Sequence, residues 1–228
     1  WNLLDQFFQW RSLEPPETRI AVVTFSESDL AKVGGWPISD RVLAQTLTQI
    51  KSQNPRAIGL DLYRNFPVEP GHHDLVKLFQ STPNLFGIEK AVGTRIPPAP
   101  ALSQFDRVGF ADQVLDADGK VRRALVSVGL ANDEVSYSLA VKLALHYLKQ
   151  EIVEFEPLDQ NRVRFGKTIL HRFEGNDGGY VRTQSGGYQI ILNFRVPQKS
   201  FPTYSIQQVL NHQIPPHAFR DRIVLVGT

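Results

Sequence analysis

Five side chains in the first third of the chain are of the types that hold a divalent cation: Asp29, Asp61, His72, His73 and Asp74. Gathered in one place they would make a hydrolytic metal cluster, since imidazole and carboxylate both suit first-row metals. The local pattern argues against that gathering, because adjacent histidines seldom face one ion and Asp74 falls at a helix start, where Asp caps. Asp116, Asp118 and Gly119 have the alternation that opens a calcium loop, but Arg122 and Arg123 follow where a further acidic ligand is needed. We read that segment as a hairpin turn. Ser26 and Ser28 have neither a Gly-x-Ser-x-Gly elbow nor a recognisable histidine partner, and the glycine pairs at 178–179 and 186–187 lack the Lys-Ser/Thr of a phosphate loop. No catalytic set, metal site or cofactor site is therefore assigned, and a metal-assisted hydrolase ranks third among the functional readings.

Ligand binding suits the polar residues better. Two apolar runs, Ile20 to Phe25 and Ala57 to Leu60, flank a segment in which Ser39 is an N-cap and Leu43, Leu47 and Ile50 recur at helical spacing. This is a β-α-β unit, its strands expected to be parallel neighbours covered on both faces. Ligands collect beyond the carboxyl ends of such strands. Asp29 with Trp36 follows the first strand; Asp61 with Tyr63 and Arg64 follows the second. The turn at Asn176 and Asp177 is added for its polarity. Together these seven residues are expected to line a pocket of carboxylates, one guanidinium and aromatic walls, suited to a small polar molecule rather than a lipid or nucleic acid.

The remaining elements frame that pocket. Residues 1–11 form a helix with a dense apolar stripe, expected to continue from an upstream transmembrane helix. Asp74 to Phe79 reads as a helix, Leu85 to Ile88 as a third strand, and 107–111 with 121–129 as strands joined through the Asp116 to Gly119 turn. Ser136 or Ser138 caps a helix with Leu139, Leu143 and Tyr147 on one face; short β pieces surround Gly166; a strand runs from Gln189 to Phe194. Ser205 caps a last helix and 223–226 is a buried strand. The expected fold is α/β: a mixed, largely parallel central sheet flanked by helices, with an inserted β-hairpin region, in one domain spanning 1–228.

At 228 residues with 42% hydrophobic content, the chain is long enough for a core without staples. Its charge of +2 is small and its basic residues are scattered, which disfavours nucleic acid. With no cysteine, thiol catalysis and disulfides are excluded. No run approaches the roughly 20 apolar residues of a membrane span. The chain opens on Trp1 and stops just after a strand-like run, and is expected to be a piece of something longer.

Several segments, in order, resemble the CHASE2 domain, an extracytoplasmic sensory module of bacterial membrane receptors. They are Phe25-Ser-Glu-Ser-Asp-Leu30, Gly34-Gly-Trp-Pro-Ile-Ser-Asp-Arg41, Arg56-Ala-Ile-Gly-Leu-Asp-Leu-Tyr-Arg-Asn-Phe-Pro67, Val108-Gly-Phe-Ala-Asp112, Asp116-Ala-Asp-Gly-Lys-Val-Arg122, Tyr137-Ser-Leu-Ala140 and Ile223-Val-Leu-Val-Gly-Thr228. The wording around Tyr63-Arg64 and the two Gly-Gly-Tyr stretches is similar to cyanobacterial members. The resemblance implies a domain tethered to the plasma membrane by flanking helices, on its periplasmic side, with a cytoplasmic kinase or nucleotide cyclase as output. Ser26 stands where many members carry an acidic residue, and Asn65 replaces an Asp after Tyr-Arg. The function expected is sensing of an unidentified small-molecule signal. The alternative is a dimerisation or docking platform without a ligand, a homodimer using Trp1, Phe7, Phe8 and Trp10.

Overall fold

In the computed structural model, residues 2–12, 14–130, 134–149, 155–194 and 201–227 are described. Seven helices and thirteen strands are assigned among them: α1 (Asn2–Trp10), β1 (Ile20–Thr24), α2 (Glu27–Val33), α3 (Asp40–Ser52), β2 (Ala57–Asp61), α4 (His72–Gln80), β3 (Leu85–Glu89), α5 (Pro100–Ser103), β4 (Val108–Phe110), β5 (Val114–Leu115), β6 (Val121–Gly129), β7 (Val135–Tyr137), α6 (Leu139–Lys149), β8 (Phe155–Pro157), β9 (Arg162–Phe165), β10 (Thr168–His171), β11 (Tyr188–Ile191), β12 (Thr203–Ser205), α7 (Ile206–Leu210) and β13 (Ile223–Gly227). Trp1, expected in the first helix, lies outside the described residues.

The α/β expectation holds. Six strands form a parallel sheet in the order β12-β1-β13-β2-β3-β4, accompanied by antiparallel sheets β11-β6-β5, with β7 on β6, and β10-β9-β8. The crossover through α3 does join parallel strands, but β1 and β2 are not neighbours. The last strand, β13, inserts between them, pairing Ile223 with Ile20 on one side and with Ala57 on the other. A strand paired on both edges must keep every backbone N–H free to donate, and Ile223-Val-Leu-Val226 contains no proline to interrupt either ladder. β4 also departs from expectation: it joins the parallel sheet beside β3. The hairpin partner of β6 is the two-residue β5, across the turn at Asp116 to Gly119.

The two faces of the sheet are covered unequally. On one face Ala21, Val23, Ile58, Leu60, Val224 and Val226 meet Leu43, Leu47 and Ile50 of α3, Leu75 and Phe79 of α4, and Ile206 and Val209 of α7. These side chains are almost wholly buried, and each Val, Leu, Ile and Phe among them is worth about 1.5–3 kcal/mol for its removal from water. On the other face α6 alone among the described helices covers the sheet directly, and its Leu139 and Leu143 reach Ala57, Phe86 and Ile88. Gly109 permits that approach, since a Cβ there would stand 2.5 Å from the Leu139 backbone nitrogen. As a result the apolar residues of β2 and β3 are buried on both faces, whereas β1 and β13 alternate buried with half-buried. The expectation of two covered faces therefore fails for β1, whose outward residues border a cavity.

Candidate functional site

That cavity, about 610 Å³, lies between the open face of β1 and β13, helix α6 and the antiparallel strand β6. Its walls are Ile20, Val22 and Leu225 from the sheet, Leu139 and Leu143 from α6, and Leu125 from β6. The volume falls within the roughly 300–1,000 Å³ of pockets that enclose small ligands. Asp61, Asp112 and Gln113 contribute its polar groups, with Ser138 at the start of α6 and Arg123 on β6.

Each polar group is positioned by its element. Asp61 ends β2 and lies over Gly227, where an added Cβ would stand 3.2 Å from that of Asp61. Among the described residues the Asp61 carboxylate has no hydrogen-bond or ion-pair partner. The residue is exposed, and the protein packed on its inner side pushes its pKa above the ordinary carboxylate value. Tyr63, two residues on, has its hydroxyl pushed up by burial and by the negative charges of Asp112 and Asp61. Asp112 is fully occupied, accepting hydrogen bonds from the backbone N–H groups of Ala91 at 2.7 Å and Val92 at 3.0 Å, with Lys90 Nζ at 3.4 Å. Ser138 caps α6 through Val141 N–H.

Behind the β6 wall runs a buried ionic network. Asp116 has no exposed side-chain surface; its Oδ1 accepts from Arg123 Nε and Nη2 at 3.0 and 2.8 Å, and its Oδ2 from Arg122 Nη1 and the Tyr180 hydroxyl, both at 2.9 Å. Burial works to raise the Asp116 pKa, but these hydrogen bonds prevail and hold it below the usual value. Burial and the bond to Asp116 push the Tyr180 hydroxyl up to about 12. Arg122 also donates to both oxygens of Asp5 at 2.8 Å and to Asp118 at 2.7 Å. Its bonds hold Asp5 well below the carboxylate range and Asp118 down to about 2. Asp5 belongs to α1, so the strand that walls the cavity also grips the first helix. Arg11 at the other end of α1 donates to Asn193 and Phe194, just past β11.

Of the seven residues expected at one pocket, the structure brings Asp61 to this cavity; Tyr63 packs against the cluster of Ala57, Phe86, Leu139 and Leu143, and the others lie elsewhere. Asp29 is buried and closes a capping box on α2, accepting from Ser26 N and Oγ. Trp36 is exposed beyond the end of α2. Arg64 turns beneath α3, donating to the Ile38 and Tyr63 carbonyls and standing 3.4 Å from Asp40. Burial lowers its pKa and the Asp40 charge opposes that. Asn176 and Asp177 accept from the backbone of Arg182 and Glu174, and Asp177 borders a separate surface hollow with Asp159 and Arg172. The premise of convergence was adjacency of β1 and β2, which the insertion of β13 removes.

His72 and Asp74 likewise do not assemble a metal centre with Asp29 and Asp61. His72 Nδ1 lies 2.8 Å from Asp40, and no group of three His, Asp or Glu able to hold a metal exists among the described residues. Asp116 and Asp118 face guanidinium groups. Asp5, Asp112, Arg122 and Arg123 were not singled out as site residues. The available signal was two consecutive arginines inside an otherwise apolar strand, a cost acceptable only if carboxylates meet them.

Compared with known families, residues 1–228 match the model of the CHASE2 domain. The chain belongs to the CHASE2 family. No curated protein and no solved structure gives a significant match. CHASE2 domains are sensory, non-catalytic modules found on the extracytoplasmic side of membrane receptors. In this CHASE2 domain no described helix is long and apolar enough to cross a membrane. Ser26, one of the two departures from the family wording, is the N-cap of α2 and keeps a structural task.

Proposed function

We propose that this CHASE2 domain senses a small molecule in the cavity between its two sheets, on the periplasmic side of the plasma membrane. Occupancy is relayed to a cytoplasmic kinase or cyclase through the segments flanking the domain. The observation that carries this reading is the double role of β6: Leu125 lines the cavity while Arg122, three residues earlier on the same strand, holds Asp5 of α1. The proposed site keeps Asp61 of the seven candidate residues and adds Asp112, Gln113 and Ser138. Its walls are more apolar than the polar pocket anticipated from sequence, so the ligand needs an apolar body. Ala140 is exposed on α6 and borders the cavity, which makes Ala140→Phe a way to fill it with little risk to the fold. In the full-length receptor, expressed at normal levels, this variant should lose its response to stimulus. A receptor that responds as before refutes the cavity as the sensing site.

A second reading, a homodimer without a ligand, draws on α1. Leu3, Phe7 and Trp10 are exposed, and Phe7 meets Trp10 edge to face at 6.1 Å. Sedimentation over a wide concentration range tests it: a strictly monomeric domain would remove its basis.

A further inference from the structure

We propose that the cavity takes an organic cation with an apolar body, its protonated amine set against the Asp61 carboxylate. The inference rests on the cavity being the sensing site and specifies the chemical class of the ligand. It follows from which charges at the cavity are already spoken for.

Arg123 is the cation of the lining, and it has little to give an anion. A guanidinium has five N–H donors, and four hydrogen bonds of Arg123 go to Asp116, Gln184 and Gln189, while Phe173 and Tyr180 rings stand about its faces. Asp112 is satisfied by two backbone N–H groups and Lys90. Asp61 alone among these groups keeps both oxygens uncommitted within the described residues, at the rim of a cavity whose walls are aliphatic. A carboxylate without a partner at the rim of an aliphatic cavity attracts an incoming cation and repels an incoming anion. The backbone of Gly227 leaves Asp61 room to stand at this position, since a side chain there would crowd it. The apolar remainder of the ligand is held by Ile20, Val22, Leu139, Leu143 and Leu225.

Three probes of equal chain length separate charge from burial: n-octylammonium, n-octanol and octanoate, titrated calorimetrically into the purified chain. We expect the ammonium to bind best, the alcohol about two- to fivefold more weakly, and the carboxylate weakest, since an ion pair with an exposed carboxylate adds only about that factor to affinity. Asp61→Asn, at an exposed position, should bring the ammonium down to the alcohol's affinity while leaving the alcohol unchanged; Ala140→Phe should abolish all three. Equal binding of ammonium and alcohol in the parent, or a preference for the ammonium that survives Asp61→Asn, overturns the cation assignment and leaves the cavity reading intact. If binding of all three persists unchanged in Ala140→Phe, the cavity reading falls with it. Silence from every probe also overturns the cation assignment, and the receptor response of Ala140→Phe then decides the cavity reading separately.

Discussion

Removing the Asp116 carboxylate is the sharpest perturbation of the wall between cavity and helix. In Asp116→Ala four hydrogen bonds are lost, three of them from guanidinium groups, and Arg122 and Arg123 stay behind with side chains only 4% and 2% exposed. Arg122 retains Asp5 and Asp118, so the heavier loss falls on Arg123. Breaking one partner out of a buried pair costs about 3–5 kcal/mol. Against a total of about 5–15 kcal/mol that is a large fraction of stability, and for a chain of this size it lowers Tm by roughly 6–20 °C. Asp116→Asn keeps the shape and one acceptor, which can stay with Arg123, and forfeits mainly the bond from Arg122, so about 1.5–3 kcal/mol is expected. Urea unfolding followed by circular dichroism measures both, with the midpoint moving and the slope unchanged. Raising the salt to about 0.5 M should leave the differences in place, because buried pairs are poorly screened. An Asp116→Ala variant within about 1 kcal/mol of the parent would falsify the claim that this network braces the wall.

Three further outcomes are expected. Asp5, Asp116 and Asp118 all have folded pKa values below their unfolded ones, so their stabilisation is complete above about pH 4 and is lost as pH falls toward about 2; a Trp36→Phe variant, which leaves indoles only at Trp1 and Trp10, should show α1 fluorescence changing in that window, and a flat response from pH 5 to 2 contradicts it. Asp61 has the opposite sign: its raised pKa means the ionised carboxylate costs stability once pH exceeds the unfolded value, so Asp61→Asn should melt above the parent at pH 7 and match it below about pH 4. A lower melting point at pH 7 would show that Asp61 has a partner after all. Gly109→Val places carbon 2.5 Å from backbone of Leu139 and should cost about 1–3 kcal/mol in a urea midpoint, through displacement of α6; no change would mean α6 is not seated on β4.

Much of the fold was legible because it follows from local pattern. Ser39 and Ser205 cap where their spacing to apolar residues implies, and Ser138, one of two candidates, caps α6. The runs at β1, β2, β3 and β13 are strands with nearly the expected bounds. What local pattern does not carry is which strand lies beside which. β13 is 162 residues beyond the end of β2 in sequence, and nothing in Ile223-Val-Leu-Val226 says that it will sit between β1 and β2 rather than at an edge. The site followed that error: once β13 intervenes, Asp29 and Asp61 no longer share a crevice. Asp61 remains informative because it ends β2 itself, whereas Arg64, three residues further, has turned under α3 toward Asp40. The ionic network was hidden differently, since a hairpin turn and a pair of arginines are each ordinary alone and their meaning lies in Asp5, more than a hundred residues away.

The proposed relay requires that occupancy change the relation between two parts of the molecule, and the cavity stands between two such parts. α1 is attached through Asp5 to β6 and through Arg11 to the residues after β11, so it travels with the antiparallel unit. β13 is the middle of the parallel sheet, paired along all five residues with β1 and with β2. A ligand touching Leu125 on one side and Leu225 on the other therefore contacts both units at once. It shifts a population only by as much as its contacts differ between two spacings of these sheets, and a molecule that fits both equally well shifts nothing. That condition favours a body wide enough to reach from β6 to β13 and a charged end anchored at Asp61, beside Gly227, because the anchor fixes which part of the ligand bears on which wall. Small amines that satisfy Asp61 without filling the aliphatic space would then occupy the site and leave the distance between α1 and β13 where it was.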